Sequence, residues 1–573
     1  MKTKSITAIF LLLFICKCTM PSVGHYVKQD KTEQFHNVIV LIPDGCGIAH
    51  MTIARWFKGA PLVQDSMRVS LVHTFCANSM ITGSAAAATA FVTGFKTWEG
   101  DEKARCLSML PDSLLIPKPQ ELPTSQQWRP IATVLEGAHL QGKAVGLVAT
   151  CRVSHATPAA YASHWHARTD ENIIMEQLVY QNLDVVFGGG SRYLVADDNE
   201  IPGSSSKGRR QDGENLYEAL ASNGYKIITT KEELNALSKN TQKVWGMFAE
   251  SHMLHDIDRH RFAPDEPSIA EMTEKAIEIL GKNPNGFFLM VEGSQVDWSS
   301  HGNDPVGTIT EYIAFDQAVR IALDFARSNP DQPTLILIFP DHDNGGMSLG
   351  HYGGGYSAFK PCDMVDIIKN ASLTADAVAY LIYTNLEDSE PDSATIHNII
   401  AENYGIDDIT AHEIDTIITD LRDTLNYNLT RIIGHILSDR AGIGWTTFEH
   451  TGHDVPMFSF GLDHPPQTID NTDIARLCAR ALGFDLTVLN ERLIVDASTL
   501  FKNAKITIDA SGVETSKGML LVDNGKTQAI FPFFKNMIII EQDTLILEGL
   551  TLYSQKANKV FLPRQAKKLF DKH

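Results

Sequence analysis

The sequence predicts an α/β protein: a three-layer α/β/α sandwich built on a large, mostly parallel sheet, with a helix-rich insertion and a small β-rich C-terminal module. Two observations carry the main prediction. The runs "NVIVLIPDG", "KAVGLVATCRVSH", "LDVVFGGG", "GFFLMVEGSQVDW" and "PTLILIFPDHDNGG" are nearly continuous in apolar residues and end in polar residues or glycine. Strands of this kind are buried on both faces, the mark of a parallel sheet covered by helices. Amphipathic stretches such as "PSIAEMTEKAIEILG" and "GTITEYIAFDQAVRIALDFARSN" fill the intervals. In such sheets ligands bind beyond the carboxyl ends of the strands, which is where these runs turn polar.

In chain order, "MKTKSITAIFLLLFIC" opens with Lys2 and Lys4 and continues in an apolar run from Ile6 to Cys16. That run is too short to cross a bilayer and right for the core of a signal peptide, so residues 1–20 are expected to be removed on export. Cys16 and Cys18 are candidate lipidation sites, disfavoured by Ile15 and Lys17 as neighbours. No later stretch is long and apolar enough to span a membrane. Residues 35–490 carry the strand–helix alternation of a catalytic domain. Within it, about 363–440 is polar and helix-rich, as in "TAHEIDTIITDLRDTLNYNLTRIIGHIL", and is expected to cover one end of the sheet. Residues 494–573 hold short β-like runs such as "AKITIDA" and "NMIIIEQDTLILEGLTLYS".

Composition bounds the chemistry. The chain has 573 residues, 43% hydrophobic and 21% charged, enough for a large core and more than one domain. Its formal net charge of -20 argues against nonspecific nucleic-acid binding. An anionic substrate would need a local reversal of that field, which bound metal cations provide. Past the leader, Cys46, Cys76, Cys106, Cys151, Cys362 and Cys478 are scattered, with no C-x-x-C pair and so no cysteine-based zinc site. One or two disulfides remain open to them in an oxidising compartment.

The stretch "ITGSAAAATAFVTG" reads as a helix from Ala85, with Ser84 in its first turn. Ser84 is either a capping serine or a hydroxyl set among free N–H groups at the positive helix end, where anions bind. Five further places combine metal-ligand side chains with strand ends or loops: Asp44 in "LIPDGCG"; Glu292, Asp297 and His301 in "VEGSQVDWSSH"; Asp341 and His342 in "PDHDNGG"; His450 and His453 in "EHTGHD"; and His155, Thr157, His164, His166 and Arg168 in "VSHATPAAYASHWHAR". An EF-hand at Asp341 and Asp343 fails, because Tyr352 stands where the closing glutamate belongs. Mixed imidazole and carboxylate ligands suit zinc, and a carboxylate–hydroxyl set suits magnesium.

Over about Asn37 to Phe484 these motifs resemble the alkaline phosphatase family, through "NVIVLIPDGCG", "ITGSAAAATAFVTGFKT", "VEGSQVDWSSH" and "PDHDNGG", closed by "EHTG" in the family's order. The resemblance implies that Ser84 is the nucleophile that becomes phosphorylated. It implies that Asp297, His301 and His450 hold one zinc ion, and that Asp341 and His342 hold a second. Asp44 would bridge to one magnesium ion, completed by Thr157 and Glu292. Arg168 matches the arginine that grips phosphoryl oxygens, and a homodimer is the assembly the family implies.

The sequence departs from the family pattern at three positions. Gly83 stands where many members have an aspartate that steadies the arginine, so Arg168 needs another partner. His155 and Trp298 replace residues that other branches fill with Asp and Lys, or with two histidines. They are expected to tune phosphate affinity, magnesium binding and turnover. The expected activity is hydrolysis of small phosphate monoesters by an exported, periplasmic or extracellular enzyme most active at alkaline pH. A phosphodiesterase or sulfatase on the same metal scaffold, and a catalytically inactive phosphate-binding protein, are the alternatives. A sulfatase would need Pro and Arg following the serine in a C/S-x-P-x-R string, and neither is present after Ser84.

Overall fold

The computed structural model describes residues 34–573 apart from 101–104, 117, 239, 352–359, 387–391, 423–427 and 514–516. The predicted leader, with Cys16 and Cys18, lies outside the described residues. A ten-stranded sheet organises the chain. Its order is Thr468–Asp470, Arg68–His73, Val455–Phe460, Thr334–Ile338, Asn37–Pro43, Phe287–Gly293, Ala144–Arg152, Val185–Gly189, Val244–Ala249 and Lys226–Ile228. Only Val455–Phe460 runs against its neighbours; every other pairing in the sheet is parallel.

The continuous apolar runs are explained by burial on both faces. Along Asn37–Pro43, Val38, Val40 and Ile42 enter one core, while Ile39 and Leu41 enter the other. The first core is closed by helices Ser84–Thr93, Ala156–Ala162, Glu171–Tyr180 and Asn471–Ala481. The second is closed by Ile48–Lys58, Ile269–Leu280 and Pro305–Ser328. The architecture is the expected sandwich, and no described helix is long and apolar enough to cross a membrane.

The helix-rich segment forms Pro361–Lys369, Ala375–Leu386, Ser393–Tyr404, Ala411–Arg422 and Leu429–Ala441 around a core of its own. That core takes in Ile53 from Ile48–Lys58 and Val306 and Ile309 from Pro305–Ser328. The segment therefore docks on these outer helices. Amphipathic helices bury one stripe against any apolar partner, so their pattern does not name the partner.

After Ile494 the chain forms a five-stranded antiparallel sheet, Lys505–Asp509, Met519–Asp523, Gln528–Pro532, Met537–Ile540 and Asp543–Ile546. Its core also takes in Trp165, Ala167 and Ile173, on either side of Arg168. Phe534 meets Trp165 edge to face at 5.3 Å, and Trp165 Nε1 donates to Asp170 at 2.6 Å. The C-terminal sheet thus buttresses the turn that carries Arg168.

A buried ionic cluster fastens the same junction. Arg210 is fully buried, donates to Glu176 at 2.5 Å and pairs with Asp212, while Lys535 lies 3.1 Å from Glu176 and 2.9 Å from Glu214. The three carboxylates approach closely enough to suggest a metal site, but two cationic side chains already balance them. Arg210→Ala strands buried carboxylates and is expected to cost about 3–5 kcal/mol, read by urea unfolding. A loss below about 1 kcal/mol would show that the cluster adds nothing to the junction.

Candidate active site

Three adjacent strands deliver acids to one edge of the sheet. Asp44 follows Asn37–Pro43 directly, Glu292 is the penultimate residue of Phe287–Gly293, and Asp341 and His342 follow Thr334–Ile338. Register pairs Ile42 with Glu292 and Glu292 with Ala149, so Asp44 and Glu292 emerge side by side. Thr157 lies in the first turn of Ala156–Ala162, the helix after strand Ala144–Arg152, and is fully buried. Gly45 makes the turn at φ +65°, and a Cβ there would lie 2.3 Å from Asp297 Oδ1, so only glycine admits this approach.

Helix Gln295–His301 places Asp297 and His301 one turn apart, and a short ribbon between Asp343–Asn344 and His450–Thr451 brings in His450. Asp297, His301 and His450 present their ligand atoms to a common point, as do Asp44, Asp341 and His342. His301 Nε2 lies 3.5 Å from Asp297 Oδ2, and His450 Nε2 lies 3.6 Å from Asp297 Oδ1. His342 Nε2 lies 3.1 Å from Asp341 Oδ2 and 3.6 Å from Asp44 Oδ1. The rings of His342 and His450 stack at 3.6 Å, which makes the two clusters one site.

Backbone contacts fix the imidazoles. His450 Nδ1 meets Thr82 O at 2.8 Å, and His301 Nδ1 meets Phe448 O, leaving each Nε2 toward the cluster. Asn344 Nδ2 donates to Asp297 Oδ1 at 2.8 Å and holds that carboxylate.

Ser84 is the first residue of helix Ser84–Thr93, with Gly83 as its cap, so the capping-serine reading gives way to a serine inside the first turn. Its Oγ lies 3.3 Å from His342 Nε2. Every residue of this helix is buried. Alanines 85–88 let it pack closely against Ala156–Ala162 and Asn471–Ala481 behind the serine.

Electrostatics set this edge apart. Burial, with Asp341, Asp297 and Glu292 nearby, raises the Asp44 carboxyl well above its ordinary range. Burial likewise pushes Glu292 up to about 7. Both oxygens of Asp44, Oε1 of Glu292 and Oγ1 of Thr157 are buried without a hydrogen-bond partner. Buried oxygens left in this state are costly unless a cation or donor meets them.

Arg168 faces the same cavity, of about 510 Å³, with Ser84, Asp297, His301 and His450 in its lining. Its Nη2 donates to His155 Nε2 at 2.7 Å. Burial, reinforced by Arg168 and His252, drives His155 well below the usual histidine range, so the ring is neutral and can accept. Trp298 lies 5.6 Å from His155 and 3.8 Å from His252, ring to ring, and forms the wall beside the arginine.

The alkaline phosphatase family profile matches residues 35–484. The chain belongs to the alkaline phosphatase family. It is accordingly a phosphoric monoester hydrolase. Alkaline phosphatase 3 of Bacillus subtilis is 32% identical over 478 residues, covering 80% of this chain and 92% of that protein. The repressible alkaline phosphatase of Saccharomyces cerevisiae is 27% identical over 549 residues, covering 89% and 90%. The crystal structure of the Thermus thermophilus alkaline phosphatase matches with a TM-score of 0.67 at 26% identity, covering 79% of this chain and 92% of that one.

Within this family member, three histidines from the sequence motifs stay outside the site. His164 is buried against Glu136 at 3.1 Å and Ser108 O at 3.2 Å. His166 packs on Trp165, and His453 is tied to Asp343 and Thr451 at 3.1 and 3.0 Å. Motif reading missed Asn344, His252 and Glu99. Asn344 lies inside "PDHDNGG" and carried a polar side chain as its only signal. His252 and Glu99 reach the site from loops that no spacing rule connects to it. All six described cysteines past the leader are free thiols.

Proposed function

We propose that this chain hydrolyses phosphate monoesters to inorganic phosphate and an alcohol through a phosphoserine at Ser84. Asp297, His301 and His450 would hold one zinc ion, and Asp341 and His342 a second. Asp44, Thr157 and Glu292 would hold one magnesium ion, with Asp44 shared with the second zinc. One observation carries the reading: the unpartnered buried oxygens of Asp44 and Glu292 gather with Asp341 and His342 beside a serine at a helix start. This donor set fits the ions, with imidazole and carboxylate on the zinc side and carboxylate and hydroxyl on the magnesium side.

When bound, divalent cations supply positive charge for phosphoryl oxygens and lower the pKa of nearby hydroxyl groups and water. Ser84 Oγ attacks phosphorus, the ester oxygen departs with its alcohol, and water later displaces the serine oxygen to release phosphate. Arg168 presents a planar fork to two non-bridging oxygens, and the first N–H groups of helix Ser84–Thr93 add donors. Positioning and charge neutralisation are the main demands of phosphoryl transfer.

Comparison of an aryl phosphate monoester with the matching diester tests this. The monoester is expected to win by on the order of a hundredfold or more in kcat/KM, because a diester lacks the second charge for the Arg168 fork. Equal rates, or a diester preference, would favour the phosphodiesterase alternative. The leader motif supports export, with a free form favoured over a lipid-anchored one. A homodimer is the assembly proposed by family likeness.

A further inference from the structure

Gly83 and Glu99 occupy one position between them. A Cβ built on Gly83 would lie 2.4 Å from Glu99 Oε2, 2.6 Å from its Cδ and 2.8 Å from its Oε1. The carboxylate of residue 99 thus fills the space that any side chain at 83 would take. It is held there firmly. The Gly83 amide donates to Oε2 at 3.1 Å, and Arg105 Nε pairs with Oε1 at 2.8 Å. The backbone of Glu99 is locked in turn by Asn78, whose Oδ1 accepts from the Glu99 amide at 2.9 Å and whose Nδ2 donates to the Glu99 carbonyl at 2.6 Å.

This fixed carboxylate lines the same cavity as Ser84 and Arg168. It is the foremost charge that favours the cationic form of the partly buried Arg168, and it also acts on His342. An anion brought to Ser84 meets Arg168, Arg105 and the start of the helix. Glu99 competes with that anion for all three.

We propose that Glu99 is a positioning residue that weakens phosphate binding: a built-in counter-charge, admitted by glycine at 83, that holds Arg105 and the Gly83 amide and opposes retention of inorganic phosphate. The proposal rests on Ser84 and Arg168 forming the phosphate site. It assigns to one acid outside every recognised motif the control of product affinity.

Inorganic phosphate, competing with an aryl phosphate on the metal-loaded protein, is the probe. Glu99→Gln keeps the shape and the bond from the Gly83 amide while removing the charge. Its inhibition constant for phosphate is expected to fall about tenfold, the order for one charge removed from a partly buried site, and the gap from wild type to shrink in high salt. A merely structural role for Glu99 would loosen the site and raise that constant.

The second variant, Gly83→Asp with Glu99→Ala, clears the side chain at 99 and returns a carboxylate to the same space from the other side. Gly83 sits at φ -100°, which aspartate adopts readily, and the constant is expected to come back to within about threefold of wild type. An unchanged or raised constant in Glu99→Gln overturns the proposal while the phosphatase reading stands. Failure of phosphate to compete in the wild-type protein overturns both.

Discussion

Ser84→Ala is expected to lower kcat on an aryl phosphate by about a thousandfold or more and to leave no phosphate on the protein. The substitution suits this test because it removes chemistry and spares structure. Alanine is the best helix former, and Ser84 is followed by four alanines in a helix whose every residue is buried. The deleted hydroxyl has one protein partner among the described residues, His342 Nε2 at 3.3 Å. Thermal unfolding of the variant should therefore stay within about 2 °C of wild type, since no cavity larger than one oxygen is left. Acid quenching during turnover, followed by mass measurement of the intact chain, reads the intermediate. Wild type should gain one phosphate and the variant none. Labelling of the Ser84→Ala protein, or a kcat within about tenfold of wild type, would remove Ser84 from the mechanism.

The serine and most of the acid–histidine cluster of the candidate site could be located in the sequence for one reason. Each acid stands at or just after a strand end: Asp44 directly behind Pro43, Glu292 one residue before the end of its strand, Asp341 three residues beyond Ile338. A parallel sheet brings those ends to one edge, so strand recognition and residue type together assembled the site before any contact was seen. The sheet was legible because Val38 and Ile39, adjacent in sequence, are both buried on opposite faces, which writes an unbroken apolar run.

What stayed hidden depends on contacts between distant loops. The Gly83–Glu99 exchange is set by Asn78 locking a loop, and sequence spacing carries no record of that. The partner of Arg168 is His155, whose neutrality comes from burial and from the arginine itself. The C-terminal sheet showed its strands in the sequence but not that Phe534 would press on Trp165 beside Arg168. Periodicity says which face is buried; it does not say against what.

Asp44→Asn is expected to have opposite effects on the metal-free and metal-loaded protein. In the metal-free fold, burial and three neighbouring acids raise the Asp44 carboxyl, and burial brings Glu292 to about 7. Both groups bind their proton more tightly folded than unfolded. Their contribution is complete below the unfolded carboxyl values near pH 4 and is lost as pH rises through the folded values, through about 7 for Glu292. His342, raised by Asp341 against the pull of burial, loses its contribution in the same direction. Asp341, held low by His342, works the other way only in acid, below its ordinary carboxyl range. Buried histidines held low, such as His155, His166 and His450, pull the other way as pH falls below the unfolded histidine value, so the effect is read as the gain of chelated Asp44→Asn over chelated wild type, which should be larger at pH 8.5 than at pH 6. Zinc and magnesium at a thousandfold excess over Kd should add about 4 kcal/mol for each of the three ions, together about 10 °C, and restore activity. Asparagine at 44 removes one of the crowded charges, so the chelated variant should melt above chelated wild type at pH 8.5. It also removes an anionic ligand, so the loaded variant should melt below loaded wild type and lose most activity. Differential scanning calorimetry of the four samples reads both signs. A variant less stable in both states would make Asp44 a packing residue, and one unchanged in both would place the ions elsewhere.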